Sequence, residues 1–264
     1  MRLDAPLAAP DSTVARLNPL SKLGATLVVS LAVLASVDPV TAAVALVGTL
    51  AVLPAAGVRL GPFLRRCWPL LVGSIVVGAV NTLFSPATGT TYLHVGPFRV
   101  TDAGLAVGAG LGLRVLAIAL PGVLAFATTD PTDLADNLVQ KLRVPARFAI
   151  GALAAFRMMP LLLAEWRLLL LARRARGVDA GANPVARARL FASALFAMLV
   201  GAVRRGTRLA TAMDARGFDA NLPRSIARQH PLRRMDFAVL AGGVALATAA
   251  IAVSVAAGTF QFVS

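Results

Sequence analysis

The sequence contains few of the residues from which enzymes and metal centres are usually built. Its 264 residues include one cysteine, two histidines and two lysines. The single Cys67 excludes an intrachain disulfide and a cysteine-based zinc site, and His94 and His230 lie too far apart in sequence to predict a shared metal site. Neither lysine follows the glycines of a phosphate-binding loop, so the chain is not itself an ATPase. We predict no catalytic, cofactor-binding or metal-binding residues.

Charged residues are also scarce, and most of them are positive. They make up 14% of the chain against about 25% in an ordinary globular domain, whereas hydrophobic residues reach 58%. The 26 basic residues, all arginine except Lys22 and Lys141, exceed the 12 acidic ones and give a net charge of +14. Such a charge is typical of nucleic-acid-binding proteins, but a soluble protein cannot bury so large an apolar fraction. The composition therefore favours a membrane protein.

Five apolar runs approach the length of about 20 residues with which a helix crosses a bilayer. Only Asp38 and Pro39 separate the first two runs, which predicts a tight transmembrane hairpin. We predict an all-α integral membrane protein with about five transmembrane helices. The runs cover residues 23–37, 39–58, 67–84, 103–127 and 238–259.

The positions of the arginines predict which side of the membrane each loop faces. Arg59, Arg65 and Arg66 place the second loop in the cytoplasm, and the weakly charged loop 85–102, with a small hairpin expected at 92–95, then lies outside. The amino terminus, which shows no secretory signal, is then cytoplasmic. The predicted organisation is an N-terminal segment at 1–22, transmembrane helices 1–4 at 23–127, a cytoplasmic domain with two Ala-Arg-Gly helix ends at 128–237, and the last transmembrane helix with its tail at 238–264.

The predicted cytoplasmic domain holds most of the charge. Residues 131–236 contain 18 of the basic and 7 of the acidic residues. Within them, residues 190–203 form an uncharged run that is short for a crossing, and we expect a helix at the membrane surface. If this run crossed the bilayer instead, the sidedness of everything after it would be inverted.

An internal repeat lies in this domain. Residues 172–180 and 212–220 match at six of nine positions, and each copy ends a long helical pattern, at 147–176 and 185–216. Gly177 and Gly217 stand where a helix favours a left-handed residue after its last turn. The arginine before each glycine is a favourable charge for a helix end, and as a pair the two suit two copies of an acidic groove on a dimeric partner. The repeated triplets are Ala175, Arg176, Gly177 and Ala215, Arg216, Gly217.

Several further residues stand out for packing or charge. A stripe of glycines in the fourth run allows close helix approach, either within the chain or to a partner. Arg114 lies near the middle of the same run. Pro160 is expected to kink or divide the first long helix, and Glu165 to pair with Arg157, Arg167 or an arginine of the second. The stripe comprises Gly104, Gly108, Gly110 and Gly112.

At these residues the chain resembles the transmembrane T component of energy-coupling factor (ECF) transporters, the family that includes the membrane subunits of cobalt and biotin transporters. Two short Ala-Arg-Gly motifs at the ends of long coupling helices are the signature of that family. Residues 17–23 are similar to the family's Asp-Pro-Arg-Thr-Lys stretch, but depart from it at Asn18, Leu20 and Ser21. Further similar stretches follow in the family's order at 128–134, 142–145 and 157–160 with Glu165.

The resemblance implies a scaffold rather than an enzyme, located in a bacterial cytoplasmic membrane. It implies two ATP-binding-cassette (ABC) ATPases that each receive one arginine-bearing helix end, a small membrane S component that captures a vitamin or metal ion, and the surrounding lipid bilayer as partners. It implies no cofactor and no nucleic acid. Two other functions are compatible with the residues: a conventional permease subunit that forms its own translocation path, and a membrane-anchored nucleic-acid-binding protein. The repeated arginine motif argues against the latter, which has no need for it.

Overall fold

The computed structural model of the chain describes residues 17–36, 38–55, 57–58, 60–84, 90–95, 98–178, 181, 183–218 and 230–259. These residues form helices and one two-stranded hairpin, and the chain divides into two compact units, Met1–Arg143 with His230–Ser264 and Val144–Gln229. In chain order the elements are α1 Pro19–Ala35, α2 Pro39–Ala55, α3 Leu60–Arg66, α4 Trp68–Phe84, β1 Thr91–Val95, β2 Phe98–Thr101, α5 Asp102–Ala127, α6 Pro131–Gln140, α7 Ala146–Ala175, α8 Pro184–Ala215 and α9 Arg234–Ala256.

Each of the five predicted apolar runs forms a helix, and the prediction of an all-α membrane protein is confirmed. The hairpin expected at 92–95 is present as β1 and β2, which pair antiparallel with Val95 opposite Phe98. Among the described residues, four helices, α5, α7, α8 and α9, are long and apolar enough to cross a membrane by length and composition. Because α7 and α8 are among them, the predicted surface position of residues 190–203 stays a prediction.

Four helices begin with the same two-residue signal, an Asn or Asp followed by Pro. The side-chain oxygen of the first residue accepts a hydrogen bond from a backbone N–H of the first turn, and the proline ring already has a helical φ. Asn18 caps α1 in this way, Asp130 caps α6 and Asn183 caps α8. Asp38 accepts from the Thr41 N–H at 2.7 Å at the start of α2. Because Asn18 caps α1, the helix begins at Pro19, four residues before the start predicted at residue 23, and it includes Lys22.

Helix α5 lies at the centre of the first unit and packs against α1, α2 and α4. Buried apolar side chains form two clusters along it, one around Leu120 and Phe63 and the other around Ala117 and Val33. Helix α6 packs on α1 and belongs to this unit. The second unit, Val144–Gln229, therefore contains fewer residues than the cytoplasmic domain predicted at 128–237.

Helices α1 and α5 run antiparallel, as three contacts along their length show. The Lys22 amine donates to the Thr128 carbonyl at 2.8 Å, at the start of α1 and just after the end of α5. Thr26 Oγ1 donates to the Pro121 carbonyl at 3.4 Å further along. At the other end of α1, the Arg114 guanidinium donates to the Leu34 carbonyl at 2.6 Å.

Buried polar residues tie together the start of α1, α6 and the start of α9. Asp236 accepts hydrogen bonds from the Asn18 N–H at 2.7 Å, the Ser21 hydroxyl at 3.2 Å and the Arg233 N–H at 2.7 Å. The Asn18 amide donates to Asn137 Oδ1 at 2.7 Å. Because these groups are buried, each bond removes a desolvation cost that an unpaired polar group would carry.

A second buried polar cluster holds the turn between α1 and α2 against the far end of α9. Burial alone would raise the pKa of Asp38, but hydrogen bonds from Ser254 Oγ at 2.6 Å and from Thr41 outweigh it and lower that pKa below its usual value. The carboxylate therefore stays ionised and bonded at neutral pH.

Candidate functional site

The two predicted helix ends have the same backbone geometry. At the end of α7, Gly177 has φ +73°, its N–H donates to the Arg174 carbonyl at 2.9 Å, and the Val178 N–H donates to the Arg173 carbonyl at 3.0 Å. This pair of bonds is a Schellman motif, in which the left-handed glycine closes the last turn. Arg176 is the residue between the helix and the glycine.

The end of α8 repeats this arrangement bond for bond. Gly217 has φ +72°, its N–H donates to the Asp214 carbonyl at 2.9 Å, and the Phe218 N–H donates to the Met213 carbonyl at 3.1 Å. Arg216 has φ −90° and ψ 9°, against −89° and 9° for Arg176. The predicted left-handed glycines are thus confirmed, and each places its arginine at the C-cap.

A glycine end alone does not distinguish α7 and α8, because α2 and α9 end in the same way. Gly57 and Gly258 also have positive φ, and Val58 and Thr259 close the turn with the same hydrogen-bond pattern. The residue before Gly258 is an alanine. What α7 and α8 share is therefore the arginine at the cap rather than the cap itself.

Both arginines present their charge outward. Arg176 and Arg216 are exposed, and none of the ion pairs between described residues involves them. The repeated Asp179 and Asp219, two residues after each glycine, lie outside the described residues. An exposed guanidinium carried by a capped helix end, next to the negative end of the helix dipole, can form a bidentate pair with a carboxylate of another molecule.

Three kinds of contact join α7 to α8. Trp166 and Phe191 pack edge to face with ring centroids 5.4 Å apart. The Arg173 guanidinium donates to the Leu190 carbonyl and to the Ser193 hydroxyl, both at 3.0 Å, and so links the last turn of α7 to the early part of α8. These contacts fix one helix relative to the other near the first Ala-Arg-Gly motif.

The third contact is an ion pair between the second half of α7 and the second half of α8. Arg205 Nη2 lies 2.7 Å from Glu165 Oε2, which confirms that Glu165 pairs with an arginine of the second long helix. Arg205 Nε and Nη2 are buried atoms that make no well-aligned hydrogen bond. The pair therefore acts mainly through charge.

We expect Glu165→Gln to weaken the α7–α8 pairing modestly, because both side chains are partly exposed and the contact is a single ion pair. A double-mutant cycle with Arg205→Gln should give a coupling free energy of about 0.5 to 1 kcal/mol in thermal unfolding of the purified chain. Arg167→Gln, an exposed arginine of α7 two residues from Glu165, is the control and should show no coupling to Arg205→Gln. Equal coupling for Arg167 and Glu165 would contradict a specific pair.

A cleft of about 450 Å³ lies between the first half of α7 and the second half of α8. Arg147 and Asp214 are the charged residues that line it. Met213 and Phe218, at the end of α8, also line it, so the cleft extends to the second helix end. Small residues leave the space open because their side chains do not fill it. They are Gly151, Ala154 and Ala155 on α7 and Ala202, Gly206 and Ala210 on α8.

Pro160 does not divide the first long helix, which was one of its two predicted effects. Helix α7 runs through it without a break, since a proline removes one backbone hydrogen bond while the alanine, leucine and methionine residues around it favour helix. Arg157 lies in the same helix, one turn before this proline, and makes an interaction in the structure.

The glycine stripe of α5 serves packing within the chain, and all four of its members are buried. Gly108 meets Gly78 and Thr82 of α4, and the Ser74 hydroxyl donates to the Gly112 carbonyl at 2.7 Å. Gly110 faces Pro39 of α2, and the Gly104 N–H donates to the capping Thr101 hydroxyl at 3.1 Å. Of the two predicted uses of the stripe, the structure shows close approach between helices of the same chain.

Sequence reasoning missed Arg173 and did not single out Arg205 among the arginines of the second long helix; these two arginines join α7 to α8. In the sequence they are two among many arginines of the same domain. Arg173 occupies the second position of the first repeat, where the second copy has Met213, so a difference between the copies was its only signal.

Comparison with known proteins gives a consistent result. The profile of the CbiQ family, described as cobalt transport protein, matches residues 10–225. The energy-coupling factor transporter transmembrane protein EcfT of Lacticaseibacillus paracasei is 32% identical over 90% of this chain and 92% of its own length. The protein of the same name from Heliobacterium modesticaldum is 30% identical over 87% of this chain and 88% of its own length.

A third relative has a different name. The putative ABC transporter ATP-binding protein BL0043 of Bifidobacterium longum is 28% identical over 91% of this chain, which corresponds to 32% of its own length. The family match spans both compact units and includes both arginine-bearing helix ends. The chain belongs to the CbiQ family, which contains transmembrane proteins of energy-coupling factor transporters.

Proposed function

We propose that the chain is the energy-coupling transmembrane subunit of an ECF-type importer for a vitamin or a transition-metal ion. The observation that carries this proposal is the pair of exposed arginines at two geometrically matched helix ends, Arg176 and Arg216. The names of the relatives support the ECF assignment, and the relative named as an ATP-binding protein supports an ABC-type ATPase as the partner.

In this proposal each arginine enters an acidic groove on one of two cytoplasmic ATPases. Arginine suits that task because its planar fork pairs with a carboxylate through two parallel hydrogen bonds. The Schellman closure fixes the backbone that carries each arginine, so an ATPase that binds the arginine moves the whole helix end as it moves. The chain itself performs no chemistry, and ATP is hydrolysed in the partners.

Helices α7 and α8 transmit that movement. They have 30 and 32 residues and so reach about 45 to 48 Å. Large apolar side chains on both are exposed, and in the complex they face lipid and the small S component that captures the substrate. These side chains include Phe148, Phe156, Leu161 and Leu168 on α7 and Phe191, Leu195, Phe196 and Leu199 on α8.

The proposed location is a bacterial cytoplasmic membrane with the amino terminus in the cytoplasm. Both arginine-bearing ends then lie on the cytoplasmic side, where ATP is available. The basic residues of the 131–236 segment favour the same orientation, because loops rich in arginine remain on that side.

Affinity purification of the tagged chain in mild detergent from its native host tests the proposal. We expect ABC ATPases and a small multi-span protein to be recovered with the chain, and the ligand bound to the small protein identifies the substrate. Recovery of the chain alone with bound substrate would instead show a permease subunit with its own path. Recovery with nucleic acid, released as salt increases, would show the third function and contradict the proposal.

A further inference from the structure

Arg114 is a charged residue to which the proposed coupling function assigns no role. Its guanidinium is partly exposed, and its one hydrogen bond within the described part of the chain goes to the Leu34 carbonyl at 2.6 Å. No ion pair between described residues involves it. Because a guanidinium has five N–H donors, most of them remain available to another acceptor. Asp38, the carboxylate of the nearby α1–α2 turn, is already bonded to Thr41 and Ser254.

The contacts between α1 and α5 show how deep Arg114 lies. Helix α1 ends level with Arg114, and α2 begins near Gly110, where an added Cβ would lie 3.3 Å from Pro39 Cβ. Helix α5 continues from Arg114 back to Asp102, which is about 18 Å further. Arg114 is therefore central in α5 but lies at the end of the α1–α2 hairpin.

The hairpin is shorter than a bilayer core. Helices α1 and α2 have 17 residues each and so span about 25 Å, whereas the hydrocarbon core of a typical bilayer measures about 30 Å. A bilayer adapts to a short hydrophobic segment by thinning locally, which brings lipid headgroups inward. The headgroups beside α1 then come to the level of Arg114.

We propose that Arg114 binds the phosphate of a membrane phospholipid at the end of the α1–α2 hairpin. The planar fork of arginine matches phosphate, and Arg114, which pairs with no carboxylate of the described residues, gains an opposite charge in this way. Leu27, Leu31 and Leu34 follow one another at helical spacing on α1 and are 48 to 59% exposed. They form the apolar face along which an acyl chain of the same lipid lies.

Native mass spectrometry of the purified full chain tests this assignment. The chain is titrated in detergent with phosphatidylglycerol and, in parallel, with the phosphate-free lipid digalactosyldiacylglycerol. We expect the wild type to bind phosphatidylglycerol about tenfold more tightly, because charge-assisted hydrogen bonds are roughly twice as strong as neutral ones. Arg114→Gln should lose this preference. Equal affinity of the wild type for the two lipids would overturn the proposal.

Two controls distinguish a bound lipid from general charge attraction and from a free anion. Arg65→Gln removes another exposed arginine of the same unit and should retain the preference; an equal loss in both variants would show general charge attraction and overturn the assignment. Inorganic phosphate at millimolar concentration should not displace the lipid, and displacement would show a free-anion site instead. If Arg114→Gln cannot be purified, Arg114→Lys is measured instead. Weaker phosphatidylglycerol binding supports a site that needs the planar guanidinium of arginine, and unchanged binding overturns the proposal.

Discussion

A chain that carries both Arg176→Glu and Arg216→Glu is expected to insert into the membrane normally and yet to lose ATPase association and substrate uptake. Both side chains are exposed and make no ion pair with a described residue, so the fold does not depend on them. Exposed substitutions of this kind usually change stability by about 0.5 kcal/mol or less. The effect should therefore appear in the complex rather than in the isolated chain.

The size of the effect follows from the proposed charge pairs. Truncating one partner of a buried, hydrogen-bonded charge pair costs about 2 to 5 kcal/mol, and a glutamate adds repulsion from an acidic groove. One reversal should weaken ATPase association by at least about thirtyfold, and two by about a thousandfold, because 1.4 kcal/mol corresponds to a factor of ten. Co-purification of the ATPases and uptake into cells or vesicles measure the two results.

The control reverses two other exposed arginines on the same helices. Arg167→Glu with Arg208→Glu changes the net charge by the same amount but leaves both helix ends intact. This variant should retain ATPase association and most uptake. Full uptake in the Arg176 and Arg216 double variant, or equal loss in the control, would contradict a coupling role for the helix ends.

The sequence was most informative where structure is decided locally. Gly177 and Gly217 were predicted to be left-handed, and they are, because a Schellman end depends on a few consecutive residues. The five apolar runs predicted five helices, but hydropathy does not register a capping residue. Helix α1 therefore begins at Pro19, and Lys22, which was expected to lie before the helix, is buried within it with its amine on the Thr128 carbonyl.

Contacts between distant residues could not be predicted from one sequence. Asn18 and Asp236 are separated by 218 positions, and Arg114 and Leu34 by 80. No local periodicity connects such pairs, because the packing of the helices brings them together. For Glu165 the sequence limited the partner to an arginine, and only the structure selected Arg205.

For the glycine stripe of α5, the sequence pattern predicted the kind of contact, and only the tertiary structure identified the neighbouring helix. Small residues at 104, 108 and 112 predicted a close helix approach, but not the identity of the neighbouring helix. The structure shows α4, with Gly78 opposite Gly108: a Cβ added at Gly78 would lie 2.9 Å from the Gly108 carbonyl oxygen. Two backbones this close leave no room for a side chain between them.

Gly108→Ala is therefore expected to destabilise the chain strongly. The new methyl group would overlap the Gly78 carbonyl oxygen and the Thr82 hydroxyl. Because a backbone carbonyl cannot rotate away as a flexible side chain can, α4 and α5 must move apart. Overpacking of this kind costs about 1 to 3 kcal/mol, which should lower the midpoint of thermal unfolding by about 5 °C. Fluorescence-detected size-exclusion chromatography of heated, detergent-solubilised protein measures the shift.

Gly122→Ala is the matched control, because it makes the same substitution in the same helix. No atom lies within 4 Å of a Cβ added at Gly122, and alanine favours helix by up to about 1 kcal/mol over glycine. This variant should unfold at the wild-type temperature or slightly above it. A second substitution, Gly112→Ala, should fall between the two, since its Cβ would lie 3.1 Å from the Ser74 carbonyl oxygen. If the three variants unfold at the same temperature, close packing of α4 on α5 does not stabilise this unit.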